Sequence, residues 1–147
     1  MDGGHEYRVR VQVRWRDMDR LGHLNQSVYH EFLEEARAGL MTDLVRRFGG
    51  GERGAWVVVR VELDYRAEVR KDHGEVEVVA RIGRVGTTSI RVDHDIVLPD
   101  GTIAATGSTV LVAWDREARG KRAVTNAERA ALLTVGPAPT MATKPAA

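Results

Sequence analysis

The strongest constraint in this sequence is an order of periodicities. One stretch with helical spacing is followed by four that alternate by two, joined by turns too short for parallel crossovers. From about Gln26, apolar residues recur at Tyr29, Phe32, Leu33, Ala36, Leu40, Leu44 and Phe48. That is one face of a helix of about 22 residues, about 33 Å long. Glu31, Glu34 and Glu35 lie in its early turns and Arg46 and Arg47 at its end, matching the helix dipole, and Gly49, Gly50 and Gly51 stop it. The alternating stretches are Val57, Val59, Val61, Leu63 and Tyr65; Val76, Val78, Ala80 and Ile82; Ile90, Val92, His94, Ile96 and Leu98; and Ile103, Ala105, Gly107, Thr109, Leu111 and Ala113. Asp72-His73-Gly74, Gly83 to Thr87 and Pro99-Asp100-Gly101 carry turn chemistry between them, so the pairing is antiparallel.

Ahead of the helix, Tyr7 to Trp15 also alternates and reads as a first strand, and a short helix near Ala127 to Leu133, capped by Thr125 or Asn126, closes the chain. The class is therefore α+β, a long helix against an antiparallel sheet of about five strands. The 147 residues suit one domain, expected over 7–135, with a polar tail at 1–6 and a Pro/Ala/Thr-rich tail at 136–147. One helix covers one sheet face, yet Trp56, Val58, Val79, Val97, Val110, Val112 and Trp114 fall on the other parity among Arg60, Glu62, Arg81 and Arg91. An apolar face of that kind on a sheet with open edges predicts a homo-oligomer. With 22 Lys and Arg against 21 Asp and Glu, the net charge of +1 argues against a nucleic-acid binder. The absence of cysteine excludes disulfides, thiolate metal sites and a Cys nucleophile. No apolar run approaches a membrane span or signal peptide, so a cytoplasmic location without membrane association is expected.

Chemistry concentrates in the loop between first strand and helix, which holds Asp17, Asp19, Gly22, His23 and Asn25, with Tyr29 just inside the helix. A helix N-terminus has unpaired N–H groups and suits an oxyanion or a polarised carbonyl. Carboxylate, imidazole and amide beside it can attack, relay a proton and orient. The same residues are equally natural in turns and caps, and their spacing alone leaves both roles open.

The run Arg14-Trp15-Arg16-Asp17-Met18-Asp19-Arg20-Leu21-Gly22-His23-Leu24-Asn25, followed by Tyr29 and Phe32-Leu33-Glu34-Glu35-Ala36-Arg37, resembles the opening motif of the hotdog-fold acyl-CoA thioesterases, the 4-hydroxybenzoyl-CoA thioesterase-like family. The resemblance covers roughly residues 7–120 and includes Val61-Glu62-Leu63-Asp64-Tyr65. It implies a hotdog fold, sheets joined edge to edge in a homodimer, pairing of dimers into a homotetramer, and active sites in the dimer interface. It implies hydrolysis of an acyl-CoA substrate, with coenzyme A as part of the substrate and no cofactor. In the family's D-x-D-x-x-G pattern the second carboxylate, here Asp19, is nucleophile or general base, and Asp17 supports it. His23 and Asn25 match the G-H-x-N of related members, Gly22 and Tyr29 flank the substrate, and the N–H near Gln26 would polarise the thioester carbonyl. His23 is either a proton donor to sulfur or a brace for the loop. Relatives place the turn of Arg84, Thr88 and Ser89 near the coenzyme A arm. Two departures are Gln26 where relatives carry Asn, and Ala67-Glu68 where they carry Pro. A non-catalytic acyl-binding module of the same fold and a hotdog enoyl-CoA hydratase are the rival readings.

His30-Glu31-Phe32-Leu33-Glu34 lacks the second His of a zinc helix, and no metal site is expected. Glu34 is a candidate neighbour of the site, and Tyr29 is expected to pack with its hydroxyl satisfied. Gly83 to Ser89 lacks the Lys and helix of a P-loop. His94 alternates with core residues and reads as a buried, hydrogen-bonded histidine.

Overall fold

The computed structural model of the protein describes residues 6–48 and 55–134. Residues 1–5 of the expected N-terminal tail, the C-terminal tail and the glycine stop at 49–51 lie outside those residues, whereas Glu6, expected in the tail, opens the first strand. In chain order the elements are β1 (Glu6–Gln12), a 3-10 turn (Trp15–Asp17), α1 (Gln26–Phe48), β2 (Ala55–Tyr65), a second 3-10 turn (Lys71–His73), β3 (Glu75–Val85), β4 (Ser89–Val97), β5 (Ile103–Asp115), β6 (Gly120–Lys121) and α2 (Asn126–Thr134). All pairings are antiparallel, and the sheet runs β1-β3-β4-β5-β2 with the two-residue β6 paired to β5.

The periodicities decide what is buried. Leu33, Ala36 and Leu40 of α1 meet Val76, Val78, Ile90, Val92 and Ile96 in one core. The helix lies over β1 and β3 rather than centrally. Gly39 allows this close approach, since a Cβ there would overlap the ring of Tyr7. Thr125 caps α2: its Oγ1 accepts from Glu128 N–H at 3.0 Å, and its N–H donates to Glu128 Oε1 at 2.9 Å. Arg122 ties that cap to the sheet through both Glu128 oxygens, the Trp114 carbonyl and the face of Trp56, 5.5 Å from the ring centre.

Three expectations need correction. The first strand ends at Gln12, and Trp15 opens the 3-10 turn with 80% of its surface exposed, because the chain must bend there to reach α1. β2 does not keep one parity. A register shift between Val58 and Arg60 puts Trp56 and Val58 on the same face as Leu63 and Tyr65, and sends Val57 to the other. Val79, expected on an open face, is buried. The rest of that outer face over β1, β3 and β4 is a lattice of alternating charges, in which Arg8 meets Glu6 and Glu77, and Arg81 meets Glu6 and Asp95.

β2 is the exposed edge. Val57, Val58 and Val59 are 38%, 41% and 58% exposed, whereas Val76 and Val78 of β3 are sealed.

Candidate active site

Two connections meet at the end of the sheet where β3 begins. Val13 N–H donates to the Gly74 carbonyl, Leu24 N–H donates to the Val69 carbonyl, and the backbones of His23 and Arg70 form an isolated bridge. The loop 13–25 is thereby stitched to the segment 66–74, and α1 starts from the stitch.

Asp17 anchors the first part of the loop. Its carboxylate is 2% exposed and accepts from the Arg14 N–H at 2.8 Å and from the Arg14 guanidinium at 3.2 and 2.9 Å. Burial pushes the carboxyl upward, but the bonds and charge of Arg14 outweigh it and hold it below the ordinary range. The Asp17 carbonyl also accepts from Asn25 N–H, which fixes where the helix begins.

Asp19 sits in a tight return. Met18 and Leu24 pair as a bridge, Asp19 N–H donates to the His23 carbonyl, and Gly22 N–H donates to the Asp19 carbonyl. Gly22 adopts φ +79°, which a side chain would strain. Asp19 Oδ1 accepts from Leu21 N–H at 2.8 Å and His23 N–H at 3.0 Å. Oδ2 has no hydrogen bond among the described residues. The His23 N–H, then that of Leu21, keep this exposed carboxyl below its ordinary range, so it is ionised at neutral pH.

The helix start is a cap of known kind. Asn25 Oδ1 accepts from Ser27 N–H and Oγ, both at 3.1 Å, and the Asn25 carbonyl accepts from Val28 N–H. The Gln26 N–H has no acceptor among the described residues. Tyr29 is 5% exposed and packs edge-on to Tyr65 at 4.8 Å, closing the space between α1 and the end of β2. Burial raises its phenol, and the charges of Tyr65 and Asp19 add to the shift, so the Asp19 carboxylate lies within electrostatic reach. Its hydroxyl has no hydrogen bond among the described residues and is not sealed from solvent.

The His23 imidazole pairs with a residue of the second segment. Its Nε2 lies 2.7 Å from Glu68 Oε1, and Glu68 also pairs with Arg70 at 3.1 Å. Glu68 is a site residue that pattern reading missed, although it occupies one of the positions where the resemblance departs from the family. Glu34 is exposed on α1 and has no ion pair among the described residues.

The structure does not bring Arg84, Thr88 and Ser89 to this loop within one chain. They lie at the far end of β3, and 11 residues of strand span about 33 Å. Their turn is occupied locally: Ser89 and Thr88 carbonyls accept from Gly86 and Ala113 N–H groups, and Arg129 reaches the Gly86 carbonyl at 2.8 Å. Among the described residues no group of three or more acidic or imidazole side chains is placed to hold a metal ion.

Comparison with known proteins gives a consistent outcome. The model of a family described as the thioesterase-like superfamily matches residues 13–141. A thioesterase from Thermus thermophilus, solved with coenzyme A and Zn, is 33% identical, with a TM-score of 0.74 over 87% of this chain and 98% of its own. A structure from Bacillus stearothermophilus, described as a predicted thioesterase, shares the fold at a TM-score of 0.78 and 23% identity, over 91% of this chain and 98% of its own. A 1,4-dihydroxy-2-naphthoyl-CoA thioesterase from Synechocystis shares it at 0.73 and 16% identity, over 88% and 96%. Among curated proteins no sequence match is found. No helix among the described residues is long and apolar enough to cross a membrane.

Proposed function

We propose that this chain, which belongs to the thioesterase-like superfamily and is a thioester hydrolase, cleaves acyl-CoA to free acid and coenzyme A with Asp19 as the acting carboxylate. One observation carries the assignment: two backbone N–H groups hold Asp19 Oδ1 and leave Oδ2 unengaged, on the loop that leads into a 23-residue helix. A thioester needs little more. Its thiolate leaving group has a conjugate acid of pKa about 8.5 for a simple thiol, so no strong acid is required. In one route Oδ2 takes a proton from water as the water oxygen bonds to the carbonyl carbon. In the other Oδ2 itself bonds to that carbon, and water then opens the mixed anhydride. Either way the carbonyl oxygen gains charge near the Gln26 N–H, the C–S bond breaks, and the thiolate departs.

The remaining residues support that centre. Asp17 acts through Arg14 and Asn25 by fixing the loop and the cap, Gly22 permits the return, and Tyr29 lines the entry. The contact of His23 with Glu68 favours a bracing role for the imidazole.

The catalytic unit in this reading is the single domain 7–135, working as a homodimer that pairs into a tetramer in the cytoplasm. The bare valine edge of β2 suits sheet-to-sheet joining. A second copy is also the source from which Arg84, Thr88 and Ser89 would reach the coenzyme A arm.

The test is thiol release from short, medium, long and aromatic acyl-CoAs by wild type and Asp19→Asn, with sedimentation alongside. Release by wild type, lost in the variant, from a dimer or tetramer is the expected result. Folded protein that releases no thiol overturns the hydrolase assignment. Full activity in Asp19→Asn overturns the role of Asp19, and an active monomer overturns the shared interface.

A further inference from the structure

The return that presents Asp19 is not held by burial. Asp19, Arg20 and Gly22 are exposed, and Leu21 at its tip is 78% exposed. Its own bonds close it on itself: Asp19 N–H donates to the His23 carbonyl at 2.8 Å, Gly22 N–H to the Asp19 carbonyl at 3.1 Å, and two further N–H groups share Asp19 Oδ1. Those bonds give the return its shape. They do not fix its place, because a small exposed loop can swing as one piece about its ends.

The place is set at His23. Its backbone bridges to Arg70, and the next N–H, of Leu24, donates to the Val69 carbonyl at 2.8 Å. Its imidazole then makes the one hydrogen-bond or ion-pair contact, among the described residues, from a side chain of residues 19–23 to another segment: Nε2 lies 2.7 Å from Glu68 Oε1.

Glu68 is itself immobilised from two sides. Ala67 N–H donates to the Ala104 carbonyl at 3.1 Å, and Val69 is sealed in the core, so the backbone around Glu68 is tied to β5 and to the interior. Its other oxygen, Oε2, accepts from Arg70 Nη1 at 3.1 Å, and Arg70 is gripped in turn by Asp72, Nε to Oδ1 at 2.9 Å and Nη2 to Oδ2 at 3.3 Å. A continuous line of contacts runs from Asp72 through Arg70 and Glu68 to His23, whose N–H and carbonyl are both bonded to Asp19. The side chains of His23, Glu68 and Arg70 are 44%, 45% and 44% exposed, and ion pairs so open to water add little to global stability. What they supply is direction, since a carboxylate with one oxygen on each of two neighbours has few orientations left.

We propose that Glu68 is a positioning residue for the reaction, acting through His23 to fix where the Asp19 carboxylate points. The inference takes its reaction from the thioesterase reading, whereas the brace itself exists with or without turnover. A misplacement of about 1 Å can cost about 10²-fold in rate. The backbone bridge between His23 and Arg70 survives the loss of Glu68, so a smaller loss is expected, carried by kcat.

The experiment compares wild type with Glu68→Ala, Glu68→Gln, His23→Ala and the double variant Glu68→Ala/His23→Ala, on the acyl-CoA that wild type cleaves fastest. Glu68→Ala should lower kcat about tenfold with KM within about twofold, and Glu68→Gln, which keeps an oxygen for His23, should lose less. The double variant should be no slower than His23→Ala alone, because the two residues act as one unit. An unchanged kcat in Glu68→Ala, or a double variant slower than His23→Ala by the full Glu68→Ala factor, overturns the proposal. A second readout needs no turnover: hydrogen exchange at the Leu21 and His23 amides, the two that hold Asp19 Oδ1. In Glu68→Ala both should exchange at least about fivefold faster while the amides of β3 and β4 keep their rates. That result supports the brace even if wild type cleaves no thioester, in which case the hydrolase reading alone fails. Unchanged exchange at the two amides, or a rise spread over the whole domain with a fallen melting temperature, refutes it even in an active enzyme.

Discussion

The stretch around Asp17 and the stretch around Asp19 use the same residue types on one loop, and the chain puts them to opposite ends. Around Asp17 each carboxylate oxygen meets a guanidinium nitrogen of Arg14, and Oδ2 also takes the Arg14 N–H. Around Asp19 two N–H groups share one oxygen and the other is left unengaged, in water. A saturated, buried anion is a fastener. A half-saturated, exposed anion is oriented and still has a lone pair to give. The local supply of donors, more than the residue itself, separates a scaffold carboxylate from a reactive one.

Substitution at each aspartate in turn tests that distinction. Asp19→Asn retains the oxygen that the loop uses and removes the charge, so turnover should fall by about 10²- to 10⁴-fold while the melting temperature stays within a few degrees. Steady-state thiol release beside calorimetry reads both. A pH series separates the two regions from the core. Both aspartates are held below the ordinary carboxylate range, so neither changes charge between pH 8 and 5, and the activity that depends on Asp19 is lost only when pH falls below that range. Stability should move earlier because of His94, which is 1% exposed on β4 with its Nε2 3.1 Å from Thr109 Oγ1. Burial, then the charges of Arg37 and Arg81, push its folded value down to about 4, below the ordinary 6.5, so the unfolded chain binds the extra proton in between. Stability is full above pH 6.5 and declines by about 3 kcal/mol on the way to pH 4, at 1.36 kcal/mol per pH unit. Urea melts at pH 7.5 and 4.5 check this, and His94→Gln should flatten the difference. Asp17→Asn should cost about 2 kcal/mol through the lost charge-assisted bonds, with activity per folded molecule within a few-fold of wild type. Asn25→Ala, the smallest change, should cost about 1 kcal/mol as a lost cap. If Asp17→Asn instead left stability intact and stopped turnover, the roles assigned to the two residues would be reversed.

Much of this was legible in the sequence because periodicity reports burial directly. The long helix, the four later strands and their antiparallel order follow from spacings of 3.6 and 2, whereas the choice between Thr125 and Asn126 as cap is made only by the bond from Glu128 N–H to Thr125. The parity of β2 was not legible: five valine-rich positions look like one face, and an extra residue between Val58 and Arg60 leaves no mark in hydropathy. Trp15 misled because a large apolar residue at the end of an alternating run resembles one more strand position. At the site, the bland reading of Asn25 as a cap and of Asp17 as a turn residue describes their contacts well. The pairing of His23 with Glu68 depends on two segments 45 residues apart meeting at the start of β3, and no local pattern encodes that. The Nδ1 of His94, sealed without a hydrogen-bond partner, is also invisible in a string where the residue alternates with valine and isoleucine.

The guanidinium of Arg122 joins the end of β5, the first turn of α2 and the indole of Trp56 on β2. A junction shared by three elements makes them release together. Amide hydrogens near Trp114, at the start of α2 and along the first residues of β2 should therefore exchange with solvent as a single opening unit rather than by fraying one element at a time. The end of the domain farthest from the reactive loop would then behave as a clasp whose opening need not disturb the chemistry at the other end.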